Sequence, residues 1–379
     1  MSSVLRLAGG RVLAPSGGFE TRDVHVADGS IVETTAAEAV EIDCRNYAVL
    51  PGIVDVHGDA FESELHPRPG VDIDFAIAMK SIDRQLVTNG VTTAFHGLSL
   101  SWEPGARSLE AGRRFMTRLS ALRPELTADH RVQLRWETFA HDAIGDLADW
   151  LAQDDPKPAI AFNDHTTLTL KAIDDRQTGK IAKWAQRTGV SLDEYLDLAK
   201  AVGAHAPDVP AKIRQVAELG RRHGAVMLSH DEAGLTDRDG NRALGMSVCE
   251  FPLARDVARS AIAAGEPVVM GAPNVIRGGS HTGAISAEDA IRDGLCTVLA
   301  SDYYYPSLFH AAERLVARGV LPMRDAWRLI STNAAEAMGL GDRGEIEPGR
   351  RADLAIVDCS SGWRLVHTIA GGRLASLGR

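Results

Sequence analysis

The strongest constraint on the fold is a rhythm. Between residues 51 and 338, eight short apolar runs, at 53–56, 91–95, 132–136, 159–162, 225–228, 248–251, 268–270 and 297–300, alternate with amphipathic stretches. Runs this short and this apolar read as strands buried on both faces. The intervening stretches at 75–89, 110–122, 210–223, 254–264, 287–293 and 307–318 have the period and length of helices that return the chain across a parallel strand. Eight such units predict a closed (β/α)8 TIM barrel over 51–339. Residues 166–209 exceed a usual connection and read as a helical insertion over the barrel mouth.

The two ends have a different texture. Short strands are expected at 4–7, 11–13, 23–26 and 31–34, punctuated by turns at Gly9-Gly10 and Asp28-Gly29. Strands at 352–357 and 366–369 follow the Pro348-Gly349 turn and precede Gly371-Gly372. Neither end has enough strands to bury a face alone. Together, 1–50 plus 340–379 are expected to form one small β-sandwich domain.

Function is constrained first by charge. The 379 residues carry a formal net charge of -10, which argues against nucleic acid or an anionic membrane as a partner. An anionic substrate must then meet a local cluster of cations. Cys44, Cys249, Cys296 and Cys359 stand far apart and signal neither a zinc knuckle nor a disulfide framework. No basic segment with an apolar core opens the chain, and no run reaches the ~18 apolar residues of a membrane span. The expectation is a cytoplasmic protein, and a homo-oligomer is compatible with it.

Ligand-type residues fall at the C-terminal tips of the expected strands, where the active sites of this fold lie. Strand one ends in His57-Gly58-Asp59, strand three in Glu137, strand four in Asp164-His165, strand five in His230-Asp231 and strand eight in Ser301-Asp302. Two apart on a strand, His57 and Asp59 point the same way. Imidazoles and carboxylates converging on one axis are costly unless paired or bound to metal. A mixed His/Asp/Glu set suits zinc, manganese or iron. Of the other histidines, His96 and His281 lie near the mouth. After strand seven, Asn274, Arg277, Gly278, Gly279, Ser280 and His281 have the makings of an anion cradle, with exposed backbone N–H groups and one guanidinium. Arg68, stiffened between Pro67 and Pro69, is a second cation aimed at the site.

These residues resemble the amidohydrolase superfamily. Pro51-Gly52-Ile53-Val54-Asp55-Val56-His57 looks like its first barrel strand, Gly90-Val91-Thr92-Thr93 like its second, and Gly344-Glu345-Ile346-Glu347-Pro348-Gly349 like its returning β segment. Within it, His57-x-Asp59, Pro67-Arg68-Pro69, Ser229-His230-Asp231, Met270-Gly271-Ala272-Pro273-Asn274 and Ser301-Asp302-Tyr303-Tyr304 resemble the diphosphatases of alpha-D-ribose 1-methylphosphonate 5-triphosphate. Thr166-Thr167-Leu168 departs from the Pro-Gly-Gln-type continuation of that branch. The resemblance implies a metal centre of His57, Asp59, Glu137, His165, His230 and Asp302, holding two ions with Glu137 as the bridge. It implies hydrolysis of a small phosphorylated substrate with release of pyrophosphate, Asp302 accepting the proton. The alternatives are a C–N hydrolase, deaminase or deacylase, of the same superfamily, and a non-catalytic binding module.

Overall fold

The computed structural model describes residues 4–35, 38–68, 70–153, 156–279 and 285–377. Two eight-stranded sheets organise it. The first draws on both ends of the chain: β1 (Leu5–Leu13), β2 (Phe19–Ala27), β3 (Ser30–Val32), β4 (Val40–Asp43) and β5 (Ala48–Pro51) precede the second sheet, and β14 (Leu354–Asp358), β15 (Arg364–Ala370) and β16 (Arg373–Leu377) follow it. The ends are joined where β5 pairs antiparallel with β14, Val49 opposite Ile356. The expected turn at Gly9-Gly10 is instead a bulge inside the continuous strand β1. Its pairing with β2 shifts between Leu7 and Gly10, and Gly9 takes a left-handed φ of 65°. The hairpin at Asp28-Gly29 forms as its sequence predicts, both residues having positive φ.

The second sheet is β6 (Ile53–Gly58), β7 (Val91–Leu100), β8 (Asp129–Glu137), β9 (Ala159–Asn163), β10 (Met227–His230), β11 (Val248–Glu250), β12 (Val268–Gly271) and β13 (Val298–Ala300), in sequence order and parallel throughout. It curls until its ends meet. Gly58 bridges Asp302 in parallel, Asp302 N donates to His57 O at 2.9 Å and Asp59 N donates to Asp302 O at 2.6 Å. The seam of the barrel therefore lies at the expected metal ligands.

Alternation along each strand decides what faces the axis. On β8, Val132, Leu134 and Trp136 join the apolar shell under the helices, while Gln133, Arg135 and Glu137 take the opposite face. Val54, Val56, Phe95, Leu228, Val269 and Val298 fill the barrel interior. Gln133, Arg135 and Glu137 thereby bring polar groups to its C-terminal end. The insertion folds as three helices, His165–Asp174, Thr178–Thr188 and Leu192–Gly203. Their small core of Ala172, Ile181, Ala185 and Tyr195 is separate from the barrel's.

Candidate metal centre

His57 and Asp59 meet as their spacing requires, His57 Nε2 lying 3.3 Å from Asp59 Oδ1. Beneath them Asp55, fully buried, accepts from Ser301 N, Ser301 Oγ and His57 N, tying the first strand to the last. His57 and His230 share one partner. Their Nδ1 atoms lie 3.0 and 2.7 Å from Glu250 Oε1 and Oε2, and Gln133 Nε2 donates to Oε1 at 2.7 Å. A carboxylate that accepts from both Nδ1–H groups fixes both tautomers and turns both Nε2 lone pairs toward the mouth, the arrangement that supports metal-bound histidines. His165, His230 and Asp231 form a second cluster whose ligand atoms lie within 4.8 Å of one another.

The backbone at the rim is strained. Asp231, Phe251 and Asp302, just past β10, β11 and β13, have φ of 56°, 51° and 55°. Left-handed non-glycine residues are uncommon and gather where side chains must be aimed for function.

The donor set fits a divalent cation. Asp59 Oδ1 is buried and has no hydrogen bond of acceptable geometry. A Cβ at Gly97 of β7 would come within 2.4 Å of that oxygen and 3.4 Å of His57 Nε2, so glycine keeps the space open. Asp59, Glu137, Asp231, Glu250 and Asp302 converge here, and Arg135 is the fixed cation among them. Its Nη1 donates to Asp59 Oδ2 at 2.7 Å and its Nη2 to His230 Nε2 at 3.3 Å. The excess negative charge shows in the imidazoles. Burial alone would lower His57, but Glu250 and Asp59 outweigh it and push the ring up to about 10. His165 is likewise pushed up to about 9, burial being overcome by Asp231 and Glu137. A cluster that draws protons onto its histidines is one that a metal ion would neutralise. Burial raises the Asp302 carboxyl, and Asp59 adds to the effect against the pull of His57 and Arg135.

Glu137, expected as a bridging ligand, lies 3.4 Å from His165 Nδ1 through Oε2 and carries further hydrogen bonds at the start of the insertion. Its Oε1 accepts from Thr166 N and Thr166 Oγ1 at 3.0 and 2.8 Å and its Oε2 from His165 N at 3.1 Å. It holds the first turn of the helix His165–Asp174, where an anion is favoured, and so positions His165. The expected anion cradle is reassigned. Residues 272–277 form a short helix, Ala272–Arg277, with Gly278 as its left-handed cap at φ 82°. Gly278 N and Gly279 N both donate to Asn274 O. The Asn274 side chain bonds Ile285 O and Ala287 N, so backbone and amide are consumed in structure. Arg277 is exposed at the helix end, and Ser280 and His281 lie outside the described residues. His96 is fully buried, its Nε2 2.9 Å from His130 Nδ1. Arg68 lines an outer cleft beside the mouth.

Glu250, Arg135, Gln133 and Gly97 were not singled out from sequence. The signal was present: a glutamate inside the apolar run Val248-Cys249-Glu250-Phe251, and polar residues at every second position of β8, each call for a partner within the barrel.

The amidohydrolase family pattern matches residues 163–375. Over 355 residues the chain is 30% identical to the alpha-D-ribose 1-methylphosphonate 5-triphosphate diphosphatase of Escherichia coli (strain K12), covering 90% of each chain. It is 27% identical over 355 residues to an adenine deaminase of Methylobacterium nodulans, covering 92% of this chain and 53% of that one. An amidohydrolase from an environmental sample of the Sargasso Sea shares the fold, with a TM-score of 0.67 at 13% identity over 99% of this chain and 93% of the other. Barrel, mouth and sequence likeness thus converge, and the chain belongs to the amidohydrolase family.

Proposed function

We propose that the protein is a metal-dependent diphosphatase that splits the triphosphate of alpha-D-ribose 1-methylphosphonate 5-triphosphate into the 5-phosphate and pyrophosphate. The observation that carries this reading is Arg135. A guanidinium 7% exposed and held beside Asp59 and His230 is a preorganised fork for phosphoryl oxygens. Likeness to the Escherichia coli diphosphatase across 90% of the chain supports the same substrate.

His57, Asp59, His165, His230 and Asp302 are the residues we assign to hold the metal, with Asp231 at the edge of the set. A divalent ion held there supplies Lewis acidity and a nucleophile at neutral pH. Arg135 offsets charge that develops on the phosphoryl oxygens. Asp302, raised by burial, accepts the proton released as water attacks phosphorus. Glu137 and Glu250 touch neither substrate nor reacting atoms in this scheme. They hold His165, and His57 with His230, in place.

A C–N hydrolase is the second reading, favoured by the adenine deaminase likeness. Metal-loaded protein offered the ribose triphosphate and, separately, adenine separates the two. Pyrophosphate from the first and no ammonia from the second is the expected result, and chelation should abolish turnover until metal is restored. Ammonia release without pyrophosphate release overturns the diphosphatase reading.

A further inference from the structure

The mouth does not end at the metal cluster. A chamber of about 250 Å³ lined by Asp59, Arg135, Glu137 and His165 continues past Arg107 and Arg187 into an outer cleft of about 870 Å³, since Ser99, Glu103, Arg107 and Arg187 line both. The outer cleft lies between the chain after β6, the connection after β7 and the helix Thr178–Thr188. Six cationic side chains line it, Arg68, Arg107, Arg114, Arg118, Lys183 and Arg187, against four carboxylates, Glu62, Asp72, Glu103 and Glu110, of which Glu62, Glu103 and Glu110 are paired with Arg107, Arg187 and Arg114. On a chain of net charge -10 this local excess of cations is what an anionic ligand requires.

The two cations at the junction are fixed by carboxylates. Arg187 Nη2 donates to Glu103 Oε2 at 2.6 Å, and Glu103, itself 8% exposed, also accepts from the fully buried Tyr195 Oη at 2.7 Å. Arg107 Nη2 donates to Glu62 Oε2 at 2.8 Å. Each guanidinium uses one Nη on its carboxylate, and its planar fork retains other N–H groups for a ligand. Arg68 and Lys183 stand exposed farther out. The volume suits a small molecule, which sets aside a nucleic-acid strand.

We propose that this cleft binds the condensed-phosphate chain of the substrate, with Arg107 and Arg187 gripping the phosphates next to the metal and Arg68 and Lys183 the outlying ones. The role assigned from sequence to the segment around Arg277 passes to these residues. The proposal rests on the phosphoanhydride reading above but fails separately from it.

Tripolyphosphate and inorganic phosphate serve as probes, titrated calorimetrically into metal-loaded protein with metal content measured before and after. Wild type should bind tripolyphosphate and bind phosphate far more weakly. Arg187→Met should weaken tripolyphosphate about ten- to a hundredfold, the range of a charge-assisted hydrogen bond, at unchanged metal content. Because Arg187→Met strips Glu103 of its cation and can perturb the insertion, a second variant, Arg68→Met with Lys183→Met, leaves both junction ion pairs intact. It should weaken binding and flatten its salt dependence. If both variants bind tripolyphosphate like wild type, the cleft assignment falls while the diphosphatase reading stands. The same holds if wild type fails to bind tripolyphosphate yet releases pyrophosphate from the ribose triphosphate. No tripolyphosphate binding together with ammonia release from adenine overturns both.

Discussion

Glu250 shows how much of the site rests on one side chain. Its two oxygens receive His57 Nδ1 and His230 Nδ1, and Gln133 adds a third contact. Glu250→Gln keeps shape and volume but replaces one accepting oxygen with an NH2 that faces an N–H. One imidazole must then change tautomer or turn, and its Nε2 is no longer a lone pair aimed at the mouth. Metal affinity should fall about ten- to a hundredfold, the usual cost of losing a group that orients a ligand, and the unpaired buried N–H should cost the metal-free protein about 1–3 kcal/mol. Competition with a chromophoric chelator measures it, and unchanged affinity would show that Glu250 does not orient the histidines. From sequence, the convergence of His57, Asp59, His165 and His230 was legible because residues at strand tips meet at one mouth in this fold. Glu250 was not, because a glutamate in a three-residue apolar strand can belong to a buried ion pair, a metal or an edge, and only the neighbouring strands decide.

At the scale of elements, all eight barrel strands were legible as apolar runs, and the helices Phe75–Thr88, Leu109–Leu122, Val209–His223, Arg255–Ala263 and Ser307–Ala317 by a period long enough to stand out, whereas Ile144–Ala152 and Leu235–Ala243 were not singled out. The short helix Ala272–Arg277 was missed despite Pro273 in its first turn and Gly278 at its end, both ordinary helix-boundary residues. Six residues do not show a period, and glycines around an arginine suggested an anion loop instead. A hydrogen-bonded file between elements was also invisible in sequence. Asp83, on the helix Phe75–Thr88, accepts from Thr127 N and Ala128 N and lies 3.1 Å from His130 Nε2; His130 Nδ1 meets His96 Nε2; His96 Nδ1 lies 3.4 Å from Tyr305 Oη. Burial lowers His96 well below its ordinary value, and His130 and Arg123 add to the effect. His130→Leu leaves a buried His96 ring nitrogen without its partner and should cost about 1–3 kcal/mol. His96→Leu combined with His130→Leu should cost less than the sum of the single changes, because the orphaned ring nitrogen is gone. Urea midpoints of the three variants test this, and additive losses would mean the two rings act independently.

At the scale of the whole molecule, the segment leading into β14 is tied to the barrel at Arg343, which is 5% exposed and lies 3.8 Å from Asp353 Oδ2. Its Nη1 donates to Thr93 Oγ1 and to Asp129 Oδ2, each at 2.7 Å, at the start of β7 and β8, and its Nε and Nη2 hold Asp342 at 2.8 and 2.9 Å. Arg131 also donates to Asp129, at 2.9 Å. Burial raises the Asp129 carboxyl, but Arg131 and Arg343 outweigh it and hold the group down to about 2, against an ordinary 3.8. A carboxyl depressed on folding stabilises the native state above its ordinary value and loses that stabilisation as pH falls through its folded value. Wild type should therefore lose stability between about 3.8 and about 2. Arg343→Met removes one of the two cations on Asp129, leaving it Arg131 alone, and takes the exposed Asp342 off its partner, which at neutral pH should cost about 1.5–3 kcal/mol, the range for hydrogen bonds to a charged group. Asp129, held by Arg131 alone, protonates in the variant at higher pH than in wild type, so the stability gap between the two proteins should narrow as pH falls across that window. Chemical denaturation of both proteins at a series of pH values measures the gap. A gap that stays constant down to the folded value of Asp129 would mean that Arg343 stabilises through packing of its aliphatic stem rather than through charge.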